Sequence, residues 1–235
     1  MRRLGLLIVL MMVSGIVLVG CSGDVGDGEG MMTPIGTPVS MATFKGLYYG
    51  TATPGTQMDF TLAGSDSQGN PWTGSAAVVS DGPTTFESQS VTKSRTLLTL
   101  QRGTDTPVTG IVSYYHLASN STLYKSVSSD GVECVPTTQT VIPNTINVGD
   151  FDNFENTNNS DGTTSTVTWI LEPLYDGASK FVITSIERTG ATIDYVEEDS
   201  FYLDSSGVPY GMGVKVTEGY FTATLSVTLY GSRNY

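Results

Sequence analysis

The chain has 235 residues, of which 23 are acidic and 11 are basic, so its formal net charge is −12. This acidic balance argues against a nucleic-acid partner and against docking on anionic lipid through protein charge. The length suffices for one large domain or two small ones, and the two cysteines rule out a disulfide-stapled framework.

The first twenty residues have the pattern of an export signal. Arg2 and Arg3 form a short positive region, residues 4–20 carry no charge, and residues 6–12 are an unbroken apolar run. A charged start, a short apolar core and small residues before a break are typical of a cleavable signal peptide. Glycine and serine dilute the run, so a permanent span, which needs roughly 20 apolar residues, is the weaker interpretation.

The sequence Leu18-Val19-Gly20-Cys21 follows this run and resembles the lipobox of bacterial lipoproteins. The resemblance implies that Cys21 is diacylated on sulfur, that the chain is cut before it, and that the new amine is acylated too. Two or more acyl chains give a stable membrane anchor where one chain is marginal. The alternative is a plain secretory signal with a chance cysteine.

The residue after the lipobox bears on location. Ser22 stands where an aspartate would imply inner-membrane retention, so the resemblance implies the outer membrane if the host has one. Cleavage would remove residues 1–20 with Arg2 and Arg3, which takes the net charge from −12 to −14.

Residues 21–43 are rich in glycine and proline, carry acidic side chains and show no periodicity. We therefore expect a lipidated flexible tether over 21–43 and a β-rich body over 44–235, with a possible subdivision near residue 145.

Short runs that alternate apolar and polar residues fill the body. The clearest spans 221–229, and shorter ones occur at 58–62, 111–117, 167–171 and 210–216, whereas 180–186 is denser in apolar residues. Such runs, separated by Asp-Gly turns, indicate half-buried strands joined by hairpins. We expect an all-β antiparallel meander of about ten to twelve strands, helix-poor apart from the signal peptide.

The arrangement of these strands stays open between a curved sheet or half-barrel and a sandwich. One closed or nearly closed β unit is the first interpretation, and two β subdomains are the second. The low-complexity residues 144–166 would then be a loop between the halves. The acidic residues 196–199 interrupt an alternating run, which favours a bulge or bend.

Few residues in the sequence suggest a catalytic or metal-binding role. Asp150, Asp152 and Glu155 offer oxygen ligands to Ca²⁺, but Phe154 stands where an EF-hand needs a polar ligand, so a solvated loop is favoured and these are weak candidates only. His116, the only histidine, and Cys134, on a strand pattern, are interpreted as structural residues. We therefore expect no catalytic residues, no metal site and no cofactor.

Aromatic side chains could also form a binding surface if they were exposed. We expect them to pack in the core instead of forming an exposed stacking platform. The residues concerned are Tyr48-Tyr49, Trp72, Tyr114-Tyr115, Trp169 and Tyr175.

A second resemblance concerns the C-terminal third. Residues 201–210, followed by strands to Leu229, are similar to a late segment of open half-barrel lipoprotein carriers of the LolA/LolB type. That family closes its concave face with helices, which this sequence does not predict. The body also resembles uncharacterised Thr-rich bacterial lipoproteins, which implies no activity.

These observations predict a membrane-anchored envelope lipoprotein that acts as a non-enzymatic binding or structural module. Its partners would be the membrane, through the lipid on Cys21, and an envelope protein or glycan. The alternatives are a half-barrel carrier of an apolar or lipid ligand and, less favoured, an envelope glycan hydrolase that uses two carboxylates.

Overall fold

The computed structural model describes residues 30–218 and 225–234. The lipobox with Cys21, and residues 221–224 of the clearest predicted strand, lie outside the described residues. The elements in chain order are Pro38–Ser40 (β1), Ala42–Tyr48 (α1), Gln57–Asp66 (β2), Pro71–Phe86 (β3), Gln89–Arg102 (β4), Val108–Leu117 (β5), Leu123–Ser128 (β6), Glu133–Gln139 (β7), Thr145–Asn147 (β8), Phe151–Asn159 (β9), Thr164–Pro173 (β10), Ser179–Thr189 (β11), Thr192–Leu203 (β12), Pro209–Glu218 (β13) and Leu225–Asn234 (β14).

Twelve of the strands form one closed antiparallel barrel. Each strand from β2 to β14 pairs with its neighbours in the chain, except that β8 is skipped and β7 pairs with β9. The barrel closes where β14 pairs with β2. The prediction of an all-β antiparallel meander is confirmed, and the sheet closes fully, so it is neither an open half-barrel nor a sandwich.

The barrel interior is built by the period-two pattern of its strands. On β2, Met58, Phe60 and Leu62 are buried and face inward, while the residues between them are more exposed. On β14, Val227 and Leu229 are buried on either side of Thr228. Apolar residues from most strands therefore meet in one continuous core inside the barrel.

One end of the barrel, here called the helix end, is closed by α1 together with a two-stranded sheet of β1 and β8. The Phe44 ring packs edge-on against Phe181 of β11 and Phe201 of β12, with ring centroids 5.1 and 4.9 Å apart. The helix ends at Tyr48, and Gly50, two residues later, has a φ of 66° in the left-handed region and a Cα that faces the backbone of Lys93. No helix within the described ranges is long and apolar enough to span a bilayer.

The body begins earlier in the chain than the predicted boundary at Phe44. Residues 38–40 form β1, and the side chains of Thr33, Val39 and Met41 are buried against the rest of the protein. The predicted tether over 21–43 thus overlaps a segment that packs on the barrel from residue 30 onward.

Two further expectations need correction. Residues 144–166 are not a loop between halves, because they contain β8, β9 and the start of β10, and the sheet runs continuously past residue 145. Residues 196–199 form no bulge, since β12 pairs there in regular register with both β11 and β13.

Candidate functional site

A row of buried ionisable side chains lies on the inward face of β12. Tyr195, Glu197 and Asp199 alternate there with outward residues and are followed on the same face by Phe201 and Leu203. Glu197 lies opposite Ser185 of β11, and Asp199 opposite Ile183. The strand that carries apolar residues into the core at the helix end therefore carries two carboxyl groups into its middle.

The two β12 carboxyl groups are enclosed and influence each other. Glu197 accepts a short hydrogen bond from the Tyr195 hydroxyl and is only 1% exposed. Burial, with the neighbouring charge of Asp199, raises the pKa of Glu197 well above its usual value, and burial also raises the pKa of Asp199. Near neutral pH at least one of the pair therefore holds a proton, because two adjacent buried charges are costly.

Two more carboxyl groups approach the interior from other strands. Glu155 of β9 lies opposite Val167 of β10 and is buried, which raises its pKa to about 8. Glu187 of β11 lies opposite Tyr195, and burial, reinforced by the charges of Asp161 and Asp194, raises its pKa to about 7. The interior thus holds carboxyl groups drawn from three strands of the barrel, β9, β11 and β12.

Neutral polar groups surround these acids. Asn159 of β9 donates its side-chain amide to Ser165 at 2.7 Å and accepts from Thr157 at 2.9 Å, and all three side chains are buried. This network explains why a segment rich in Asn, Ser and Thr forms strands. Its polar side chains face a polar sector of the barrel interior.

A cavity of about 30 Å³ lies beside Asp199, and its lining includes Tyr48, Thr96, Tyr114, Ser185 and Phe201. Ser185 Oγ and Asp199 Oδ1 make no hydrogen bond to any described residue. The volume matches about one water molecule. The apolar-carrier alternative needs a far larger lined void, and the glycan-hydrolase alternative needs two carboxyls in an open cleft, so this cavity supplies neither.

The structure separates the three weak metal candidates. Asp152 is exposed at the start of β9, and Asp150 accepts hydrogen bonds from the backbone and side chain of Asn147 at 2.7 and 3.1 Å. Glu155 instead points into the barrel. Among the described residues no group of three or more His, Cys, Asp or Glu side chains is placed to hold a metal ion.

His116 and Cys134 both face the interior. His116 is 1% exposed, packs against the rings of Tyr48 and Tyr49, and burial lowers its pKa to about 3. Burial raises the pKa of the Cys134 thiol to about 12. A neutral imidazole and a protonated thiol that are both buried agree with the structural roles predicted for them.

Most of the predicted aromatic residues pack in the core. Trp72, Trp169 and Tyr114 are buried, and Tyr115, on the outer face, stacks on Phe86 with 3.8 Å between ring centroids. Tyr175 differs, since 42% of its surface is exposed.

Sequence reasoning missed Glu197 and Asp199 as inward residues. The signal was their spacing from Phe201 and Leu203, which places all four on one face of a regular strand. The acidic composition was instead interpreted as a break in the strand.

No protein-family model, curated protein or solved structure matches this chain.

Proposed function

We propose that this chain is a lipid-anchored module of the bacterial cell envelope that works by binding or structural support. The observation that carries the proposal is the enclosure of its reactive groups. Glu155, Glu197 and Asp199 lie inside a barrel whose helix end is closed by α1. A hydrolase acting on a polymeric glycan needs its carboxyl pair open to the sugar chain, so this arrangement favours a module whose contacts are made by its outer surface.

The anchor is supported by the sequence Leu18-Val19-Gly20-Cys21. Gly30 lies nine residues after Cys21 and borders the helix end of the barrel, where its Cα approaches the Asp176 carboxyl group. A chain leaving at that end would hold the helix end toward the bilayer. Ser22 favours the outer membrane as the location.

Anchoring is tested with Cys21→Ala. We expect the natural chain in the membrane fraction and the variant in the soluble fraction, because two or more acyl chains are needed for stable anchoring. The matched control is Cys134→Ala, which removes the other cysteine and leaves the anchor. An N-terminal peptide that carries Met1, or Cys21 without fatty acid, in mass spectrometry would contradict the proposal.

The non-enzymatic role is tested by incubating the purified protein with isolated envelope glycan and measuring released fragments. We expect release no greater than in the buffer blank. Release by the natural chain that is lost in Glu197→Gln and Asp199→Asn variants would establish a hydrolase instead.

A further inference from the structure

Among the described residues, five exposed large apolar side chains lie on adjoining segments at one side of the helix end. Met31, Phe151 and Ile35 are 82, 77 and 71% exposed, and Met32 and Tyr175 are exposed to 44 and 42%. We call these five residues the apolar strip. Exposed apolar side chains scattered singly need no explanation, but a group on adjoining segments marks an interaction surface.

Backbone contacts join the first part of the strip. Met32 forms an isolated antiparallel bridge with Tyr175, and the Asp176 amide donates to the Met31 carbonyl at 3.1 Å. The segment that leads toward residue 30 therefore lies against the turn between β10 and β11.

The second part continues from the same segment. The Gly36 amide donates to the Val148 carbonyl at 2.8 Å, and the Ile35 side chain lies over Gly149. Phe151 follows two residues later and pairs with Ile170 of β10. All five side chains thus belong to three adjoining segments, 31–36, 148–151 and 170–176, on one side of the helix end.

The strip is the part of the body next to the proposed anchor. Gly30 is nine residue steps after Cys21, and at about 3.3–3.6 Å per step this stretch spans at most about 32 Å. Residue 31 is itself a member of the strip, so a lipid on Cys21 would keep the strip within that distance of the bilayer.

We propose that the apolar strip is a membrane-contact surface that rests on the bilayer in which Cys21 is anchored, an inference that depends on the lipid anchor of the proposed function. Methionine, isoleucine and phenylalanine side chains partition into the headgroup region, and tyrosine suits that interface through its polar tip. The contact orients the barrel with its helix end toward the membrane and its opposite end away from it.

The charged residues around the apolar strip determine which lipid headgroups it can approach. Asp150 and Asp152 flank Phe151, and Asp176 follows Tyr175, whereas the nearby Lys180 is paired with Glu172 at 2.6 Å. Asp24, Asp27 and Glu29 precede the strip in the chain. The surface therefore fits zwitterionic headgroups, and anionic headgroups would repel it.

The test uses the lipidated protein reconstituted in phosphatidylcholine vesicles, after mass spectrometry has shown the acyl chains on Cys21. Phe151→Trp places a fluorophore in the strip, and vesicles containing brominated phosphatidylcholine quench any indole near the acyl chains. The matched control is Val135→Trp on β7, because Val135 is also an exposed apolar residue, at 45%. The natural chain, which contains Trp72 and Trp169, gives the baseline emission.

We expect blue-shifted emission and loss of emission in brominated vesicles for Phe151→Trp beyond the baseline, and baseline behaviour for Val135→Trp. Mixing equal parts of phosphatidylglycerol into the vesicles should reduce this loss of emission.

A lipidated Phe151→Trp protein quenched no more than the control would overturn the membrane contact of the apolar strip and leave the anchor standing. Absence of acyl chains on Cys21 would overturn the anchor. Dimers of the Cys21→Ala protein in sedimentation that dissociate on Phe151→Ser would assign the strip to a second copy and overturn the membrane contact.

Discussion

Glu155 shows how one residue can make the stability of the barrel depend on pH. Its carboxyl group is buried, and its pKa of about 8 lies above the ordinary value of 4.5. Between these values the folded protein keeps a proton that the unfolded chain has lost. The stabilisation is therefore fully present below about pH 4.5 and is lost as the pH rises through about 8.

We expect the free energy of unfolding to fall between pH 6.5 and 9, and Glu155→Gln to remove on the order of 2 kcal/mol of that fall. Urea unfolding at several pH values measures it. His116 has a pKa of about 3 in the folded protein and an ordinary value of 6.5. The stabilisation from its neutral form is therefore lost only as the pH falls below about 6.5, which lies outside this window. Asp152→Asn, at an exposed position, is the control, and a slope in Glu155→Gln equal to that of the natural chain would refute the assignment.

The same residues show what the sequence could reveal at this scale. Cys134 and His116 were predicted as structural from their strand patterns, and their burial agrees. Glu155 and Glu197 were not predicted as interior residues, because a carboxyl group on a strand is ordinarily solvated. Only strand partners distant in the sequence decide which face of such a strand is enclosed.

At the scale of elements, α1 departs most from expectation. It has seven residues, and its N-cap, Met41, makes no side-chain hydrogen bond to the helix. Helices this short are marginal on their own, so packing rather than propensity holds this one. Two turns give too little periodicity to recognise, which explains why the sequence predicted no helix at residues 42–48.

We expect Phe44→Ala to destabilise the protein by about 3–5 kcal/mol, because its ring is 1% exposed and contacts two other buried rings. Phe151→Ala, at a ring that is 77% exposed, should change stability by less than about 0.5 kcal/mol. Chemical denaturation of both variants measures the difference. Equal effects would mean that α1 does not close the barrel.

For the molecule as a whole, most strands were predictable and their closure was not. Alternation of apolar and polar residues is local, so it marks β2, β5, β10 and β13 in the sequence. The pairing of β14 with β2 joins residues 225–234 to residues 57–66, and no local pattern encodes a contact across that distance.

A closed barrel should open cooperatively, and Cys134 reports on that. In the Cys21→Ala protein it is the only thiol, and it is 7% exposed. We expect its reaction with maleimide to be slowed roughly a thousandfold or more relative to the unfolded chain, as an unfolding free energy of about 5 kcal/mol or more requires. Val135→Cys in a Cys134→Ala background is the exposed control, and fast labelling of both positions would indicate local opening of β7.

The seam between β2 and β14 has a consequence for biogenesis. Eight residue pairs unite the barrel's first strand with its last, which is synthesised after all the other strands of the ring. An emerging polypeptide therefore cannot complete its hydrogen-bonded ring until β14 has been synthesised, and any product truncated before Leu225 keeps two unpaired strand edges that expose it to proteases. Closure of the ring thus marks the point at which synthesis has passed β14.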